Sequence, residues 1–165
     1  NEYGRDLSFE YDRKDPKTHG EASGRANQFV TGALTPQARV FIIDDVATSM
    51  GTKYDLINLL HAESIGRKLN LSIVGVGLAV DREQTTAVAD GQGGIKEGIK
   101  GADSIADFTR NTDVPVHTLV GIRSIIAYLS EQEIPVMING AKRPLDAETL
   151  DAFKAYMAVY GVERG

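Results

Sequence analysis

An α/β fold with a largely parallel sheet is what the sequence predicts, and three observations predict it. Short β-branched apolar runs bounded by polar residues or glycine lie at residues 7–11, 40–43, 71–80 and 114–120 and read as strands. Segments of helical spacing lie between them, and strand and helix alternate along the chain. No internal repeat, linker or second domain is visible, so residues 1–165 read as one domain.

The helices follow in order. Leu56, Ile57, Leu59 and Leu60 with Ile65 and Leu69 make the first apolar stripe. Ile105, Ala106 and Phe108 mark a second helix, and Ile122, Ile125, Ile126 and Leu129 a third. The last helix is the best marked. Pro144 precedes it, Asp146 caps it, Leu150, Phe153, Met157 and Tyr160 form its stripe, and Gly161 ends it. Two stretches break the alternation. Residues 12–28 are polar and charged, and long for a connection, which marks a functional or disordered loop. Residues 83–101 carry Gly91, Gly93, Gly94, Gly98 and Gly101 without phosphate-loop spacing and read as a mobile excursion.

Composition excludes several classes of function. The 165 residues include no cysteine, which removes disulfide scaffolds, thiolate zinc sites and cysteine nucleophiles. With 18 Lys+Arg against 23 Asp+Glu the net charge is -5, a poor match to nucleic acid, so any anionic ligand must meet local basic residues. No apolar run approaches the ~20 residues that span a bilayer, and no basic-then-apolar leader opens the chain. A cytoplasmic protein that binds neither membrane nor nucleic acid is the expectation. The three histidines, His19, His61 and His117, show no metal-site spacing. His61 and His117 read as structural. Gly75 and Gly77 give a G-x-G, but Val80 stands where a dinucleotide fingerprint needs its third glycine.

The most specific signal is Arg39-Val40-Phe41-Ile42-Ile43-Asp44-Asp45-Val46-Ala47-Thr48-Ser49-Met50-Gly51-Thr52. An apolar strand delivers two carboxylates at its C-terminal end, where open α/β sheets bind ligands. A turn of hydroxyls and glycine then leads into a helix N-terminus. Backbone N–H groups with the hydroxyls of Thr48, Ser49 and Thr52 can surround a phosphate there without a lysine. Asp44 and Asp45 can take a ribose diol, or a magnesium ion through its waters. The plain alternative, an Asp-Asp turn that only caps a helix, leaves the hydroxyl and glycine spacing unexplained. The run resembles the phosphoribosyl-diphosphate (PRPP) motif of type I phosphoribosyltransferases. That resemblance makes Asp44 and Asp45 the ribose pair and Thr48, Ser49, Met50, Gly51 and Thr52 the phosphate loop, with Val46 and Ala47 also among the PRPP-binding residues and Met50 where the family usually has glycine.

A second signal, Arg13-Lys14-Asp15-Pro16-Lys17-Thr18-His19-Gly20, gathers positive charge on a loop of an acidic protein. A solvated charge run is the ordinary reading, but the spacing is similar to the catalytic loop of orotate phosphoribosyltransferases. Asp15 replaces a glutamate of that loop, Pro16 and Thr18 depart from it, and Ala22-Ser23 falls where two glycines often follow. The third signal is Asp81-Arg82-Glu83-Gln84 at the end of a strand. An arginine there can grip a carboxylate or imide edge through its planar fork, although a surface arginine ending a strand is common. The segment resembles the one whose arginine binds orotate in the same family. Residues 103–110, 116–122, 125–129, 153–156 and 160–162 also look like that family, so the resemblance runs through almost the whole chain.

The resemblance implies a three-layer type I phosphoribosyltransferase fold and transfer of the phosphoribosyl group from PRPP to orotate, with magnesium, in pyrimidine synthesis. It implies that Arg13, Lys14, Lys17 and His19 act on the leaving pyrophosphate, that Lys17, His19, Asp44 and Asp45 are catalytic, and that Thr48 and Arg82 bind orotate. A homodimer with shared active sites is implied as well. The family's N-terminal helical segment and first core strand have no counterpart here, so the chain is expected to be N-terminally incomplete, with that segment supplied in cis or in trans. A catalytically silent PRPP sensor and a purine-type phosphoribosyltransferase are the alternatives. Retention of Lys17 and His19 argues against the first, and the orotate-type loop and Asp81-Arg82-Glu83 against the second.

Overall fold

The structure, a computed structural model, describes residues 4, 7–12, 29–47 and 49–163. The chain divides into two compact units, Asn1–Arg39 with Leu59–Ser72, and Val40–Asn58 with Ile73–Gly165.

The larger unit holds a three-stranded sheet in the order β1 (Arg39–Ala47), β2 (Ser72–Asp81), β3 (Val116–Gly121). β2 and β3 run parallel, with Val76 opposite Val116 and Asp81 opposite Gly121. Helices α1 (Gly51–Arg67), α2 (Ser104–Thr112), α3 (Ile122–Glu131) and α4 (Ala147–Tyr160) complete the alternation. Strand side chains alternate between faces, and the two faces of this sheet differ. Ile42, Val76 and Leu78 point to the buried face, in a core with Ile57, Phe108, Val114 and Met157. Tyr54 of α1 meets Phe108 of α2 edge to face, with ring centroids 4.9 Å apart. Phe108 is fully buried, and burial of such a ring contributes about 3 kcal/mol.

The opposite face carries Phe41, Ile43, His117 and Leu119, and it is open: Ile43 and Leu119 are 80% and 87% exposed. Phe41 lies across the two glycines of β2 and stacks on His117 at 6.1 Å. A Cβ at Gly75 or Gly77 would come within 2.7 or 2.8 Å of that ring, so the G-x-G serves close packing.

The last helix forms as its sequence signals indicate. Asp146 accepts the Thr149 N–H at 2.9 Å, and Gly161 follows the final turn. The Thr149 hydrogen bonds, aided by Arg143, hold the Asp146 carboxyl at about 2. Two features depart from the sequence reading. Residues 136–143 form a hairpin of β4 (Val136–Ile138) and β5 (Ala141–Arg143). Its turn has Asn139 and Gly140 both at positive φ, 51° and 80°, the Asn-Gly signature of a two-residue hairpin. Residues 7–11, expected to be a strand, form no regular element, and only an isolated bridge between Asp12 and Phe29 follows them. A strand needs a ladder of partners, and among the described residues this segment makes one backbone–backbone bond, from the Val30 N–H to the Tyr11 carbonyl at 3.2 Å. Glu10 substitutes for the ladder by accepting the N–H groups of Val30, Thr31 and Ala33 through its carboxylate.

Candidate functional site

The apolar run of β1 ends by placing Asp44 half-buried and Asp45 exposed. The pair is not symmetric. One oxygen of Asp44 accepts the Asp45 N–H at 2.9 Å, and the other is ion-paired to the ammonium of Lys53. Asp45 accepts the Val46 N–H at 2.7 Å and has no cationic partner among the described residues. Burial by itself would raise the Asp44 pKa. The hydrogen bond from Lys53 and that from the Asp45 backbone outweigh it and hold this carboxyl below its ordinary value.

Lys53 is the site residue that sequence reasoning passes over. It is the third residue of α1 and only 5% exposed. Besides Asp44 it donates to the Val46 carbonyl at 3.3 Å and the Thr52 hydroxyl at 3.2 Å, so the three hydrogens of the ammonium meet three acceptors. The loop thus contains a lysine after all, directed at the acidic pair. The signal was present: a cation in the first turn of a helix opposes the macrodipole and needs a nearby reason.

Met50 occupies the left-handed region with φ 60°, and its carbonyl accepts the N–H groups of Lys53 and Tyr54 as α1 begins. Glycine would adopt that conformation without strain. For methionine it costs about 1–2 kcal/mol, offset here by a side chain that is 1% exposed and anchors the turn in the core. The left-handed turn that glycine would adopt without strain is therefore present at Met50. Gly51 and Thr52 open the helix, Ser49 is exposed and Ala47 is buried, while Val46 is partly exposed. Arg13, Lys14, Lys17, His19 and Thr48 lie outside the described residues.

At the end of β2, Asp81 accepts the Glu83 N–H at 2.7 Å, which turns the chain with Glu83 at φ 51°. Glu83 then reaches the start of α3. It accepts the Arg123 N–H at 2.8 Å and the Arg123 guanidinium at 3.1 Å, and that guanidinium also donates to the Val162 carbonyl at 3.0 Å. Gly121, at the cap position of α3, brings no side chain of its own. A Cβ there would stand 2.8 Å from the Glu83 carboxylate, so the glycine makes room for a cap supplied from another strand. Arg82 is left exposed, with no hydrogen bond or ion pair to a described residue.

A cavity of about 440 Å³ lies between the turn after β1 and the segment after β2, and Asp44, Asp45 and Arg82 are not among its lining. Ser49 from the first and Gln84, Thr85 and Thr86 from the second line it, with Ile95, Lys96, Tyr156 and Tyr160. The excursion over residues 83–101 is fastened rather than loose along this wall. Thr85 N–H donates to the Tyr160 carbonyl at 2.8 Å, the Gly98 N–H to the Tyr160 hydroxyl at 2.9 Å, and Lys100 pairs with Glu163. His61 and His117 are both exposed, and His117 serves as the stacking partner of Phe41. No helix among the described residues is long and apolar enough to cross a membrane.

No family model matches the chain. It is similar end to end to curated proteins named orotate phosphoribosyltransferase. That of Nitrosococcus oceani is 28% identical over 162 residues, covering 98% of this chain and 58% of that protein. The relative from Cupriavidus metallidurans is 30% identical, covering 96% of this chain and 58% of its own. For Chromohalobacter salexigens the figures are 28% identity, 97% and 59%. A crystal structure of the orotate phosphoribosyltransferase of Francisella tularensis superposes with a TM-score of 0.58 at 24% identity, over 96% of this chain and 58% of that one. The chain has that fold, as the resemblance implied: a mostly parallel sheet with flanking helices. It spans somewhat under three fifths of the length of the curated relatives it matches.

Proposed function

We propose that this chain carries the phosphoribosyl and orotate halves of an orotate phosphoribosyltransferase, which forms orotidine 5′-monophosphate and pyrophosphate in pyrimidine synthesis. The observation that carries the reading is the turn from β1 into α1. There an acidic pair at a strand's carboxyl end runs through a left-handed Met50 into a helix N-terminus, the arrangement suited to a ribose diol beside a phosphate. The similarity over 96–98% of the chain supports it.

In the reaction the anomeric C–O bond of PRPP breaks, a ring nitrogen of orotate gives up its proton to solvent and bonds to the same carbon, and pyrophosphate leaves. Positive charge grows on the sugar and negative charge on the leaving group, so placement of fixed charges does most of the catalytic work. Asp45 and Asp44 hold the ribose edge, the Ser49 to Thr52 turn and Thr48 hold the 5′-phosphate, and Arg82 grips the polar edge of orotate. Lys17, with Arg13, Lys14 and His19, meets the pyrophosphate and supplies its proton. No group of three or more His, Cys, Asp or Glu side chains among the described residues could hold a metal. The Asp44 and Asp45 carboxylates would hold a magnesium ion through its waters, and that ion would supply neutralisation of the charge on the phosphates of PRPP.

The reading includes a cytoplasmic homodimer with shared sites. It also includes a polypeptide region, in the same chain or a separate one, equivalent to the part of the relatives that this chain does not span. The open face of the sheet, with Ile43 and Leu119 exposed, supports such a covering region. Orotate consumption with PRPP and magnesium tests the whole. With that region supplied, turnover is expected, and Lys17→Ala should lower kcat by about 10²-fold while PRPP affinity changes less. No turnover with the region supplied, or a kcat untouched by Lys17→Ala, contradicts the corresponding claim.

A further inference from the structure

We infer that Lys53 is a positioning residue of the phosphoribosyl site, holding Asp44 against the turn so that the acidic pair meets the ribose diol in one fixed arrangement with Asp45 foremost. The inference rests on the reading of the β1 turn as a phosphoribosyl site and gives a role to a residue outside its motif. Three observations carry it. Lys53 is 5% exposed, and a buried ammonium is costly unless every donor is matched. Its donors are matched by parts of the turn itself: the Asp44 carboxylate, the Val46 carbonyl and the Thr52 hydroxyl. Its place in the first turn of α1 opposes the helix dipole, so helix stability does not account for it.

The consequence is a division of labour within the pair. Both oxygens of Asp44 are committed, one to Lys53 and one to the Asp45 N–H, which fixes its rotamer. The latter bond also fixes the backbone from which Asp45 projects. Asp45 keeps one oxygen without a partner among the described residues, and it is the more exposed of the two. The single lysine also binds strand end to helix start, linking the ribose-facing and phosphate-facing parts of the turn.

A double-mutant cycle on Lys53→Met and Asp44→Asn tests this, read as the affinity for ribose 5-phosphate by calorimetry. The protein with that covering region supplied is used at about 1 M salt, where through-space charge is screened within about 3 Å. Lys53→Met is expected to weaken binding on the order of tenfold, a change of about 1.4 kcal/mol. Placed on Asp44→Asn it should change the affinity by much less than about tenfold, because the larger part of its effect passes through Asp44 and only the Val46 and Thr52 contacts remain to be lost. The double variant leaves neither charge buried without its partner, so its comparison with Asp44→Asn decides the matter even if Lys53→Met alone folds poorly. A further tenfold loss in the double variant would overturn the inference while leaving the site reading intact. A parent chain that does not bind ribose 5-phosphate would overturn the site reading and the inference with it.

Discussion

The carboxyl ends of β1 and β2 are built on one plan with opposite results. At β1, Asp44 is clamped by Lys53 from the helix that follows, and Asp45 is left exposed without a cationic partner among the described residues. At β2, Glu83 is clamped by Arg123, and Arg82 is left. Each end thus spends one charge on holding its turn and presents another, an anion at the first and a cation at the second. The difference suits a ligand with a hydroxylated sugar at one end and an anionic or imide edge at the other. It also shows that two adjacent charged residues at a strand end need not share a role.

The clamp at β2 should matter most to stability. The Glu83 side chain is 13% exposed, and Arg123 is its only cationic partner among the described residues. Arg123→Ala strands that carboxylate and removes a donor from the Val162 carbonyl, which should destabilise the fold by about 2–4 kcal/mol in a urea titration. A loss below about 1 kcal/mol would mean that the α3 N-terminus alone holds Glu83, and the parallel between the two ends would fail.

A smaller effect separates the ends by pH. Asp44 has its carboxyl held below the ordinary value by Lys53 and the Asp45 N–H, against its burial. The unfolded chain then takes up that proton first as acid is added. The Asp44 contribution is whole above the ordinary carboxyl pKa and is lost as pH falls below it through the folded-state value. Between about pH 5 and about pH 3, Asp44→Asn should therefore lose less stability than the parent. An identical acid slope in the two proteins would show that the clamp contributes nothing through that carboxyl.

How far the sequence reached follows from the separation of the partners. The β1 run, its acidic pair and the last helix with Asp146 and Gly161 were legible because each is a local pattern of neighbouring residues. Lys53 was legible in principle, only eight or nine positions beyond the acidic pair, but the hydroxyls of Thr48, Ser49 and Thr52 drew attention away from it. The Glu83–Arg123 clamp was not, since 40 residues separate its members and only tertiary structure brings them together. The Asn139-Gly140 turn carried its own signature between runs too short to read as strands. Residues 7–11 misled for the opposite reason: they have strand chemistry, but a strand is defined by a partner. Gly121 gives no local cue either, because what it makes room for, the Glu83 carboxylate, comes from elsewhere in the chain.

The division between the two strand ends is tested most directly by crossing two variants with two ligands. PRPP and orotate are titrated calorimetrically into the protein, into Asp45→Asn and into Arg82→Ala. Each loses one charge-assisted contact worth about 1.5–3 kcal/mol, so Asp45→Asn should weaken PRPP, and Arg82→Ala orotate, by roughly tenfold to a hundredfold. The other ligand should be nearly unaffected in each case, and Arg82→Lys should recover only part of the orotate affinity, since a point charge lacks the planar fork. Equal losses of both ligands in either variant, or no binding of orotate by the parent, would contradict the account.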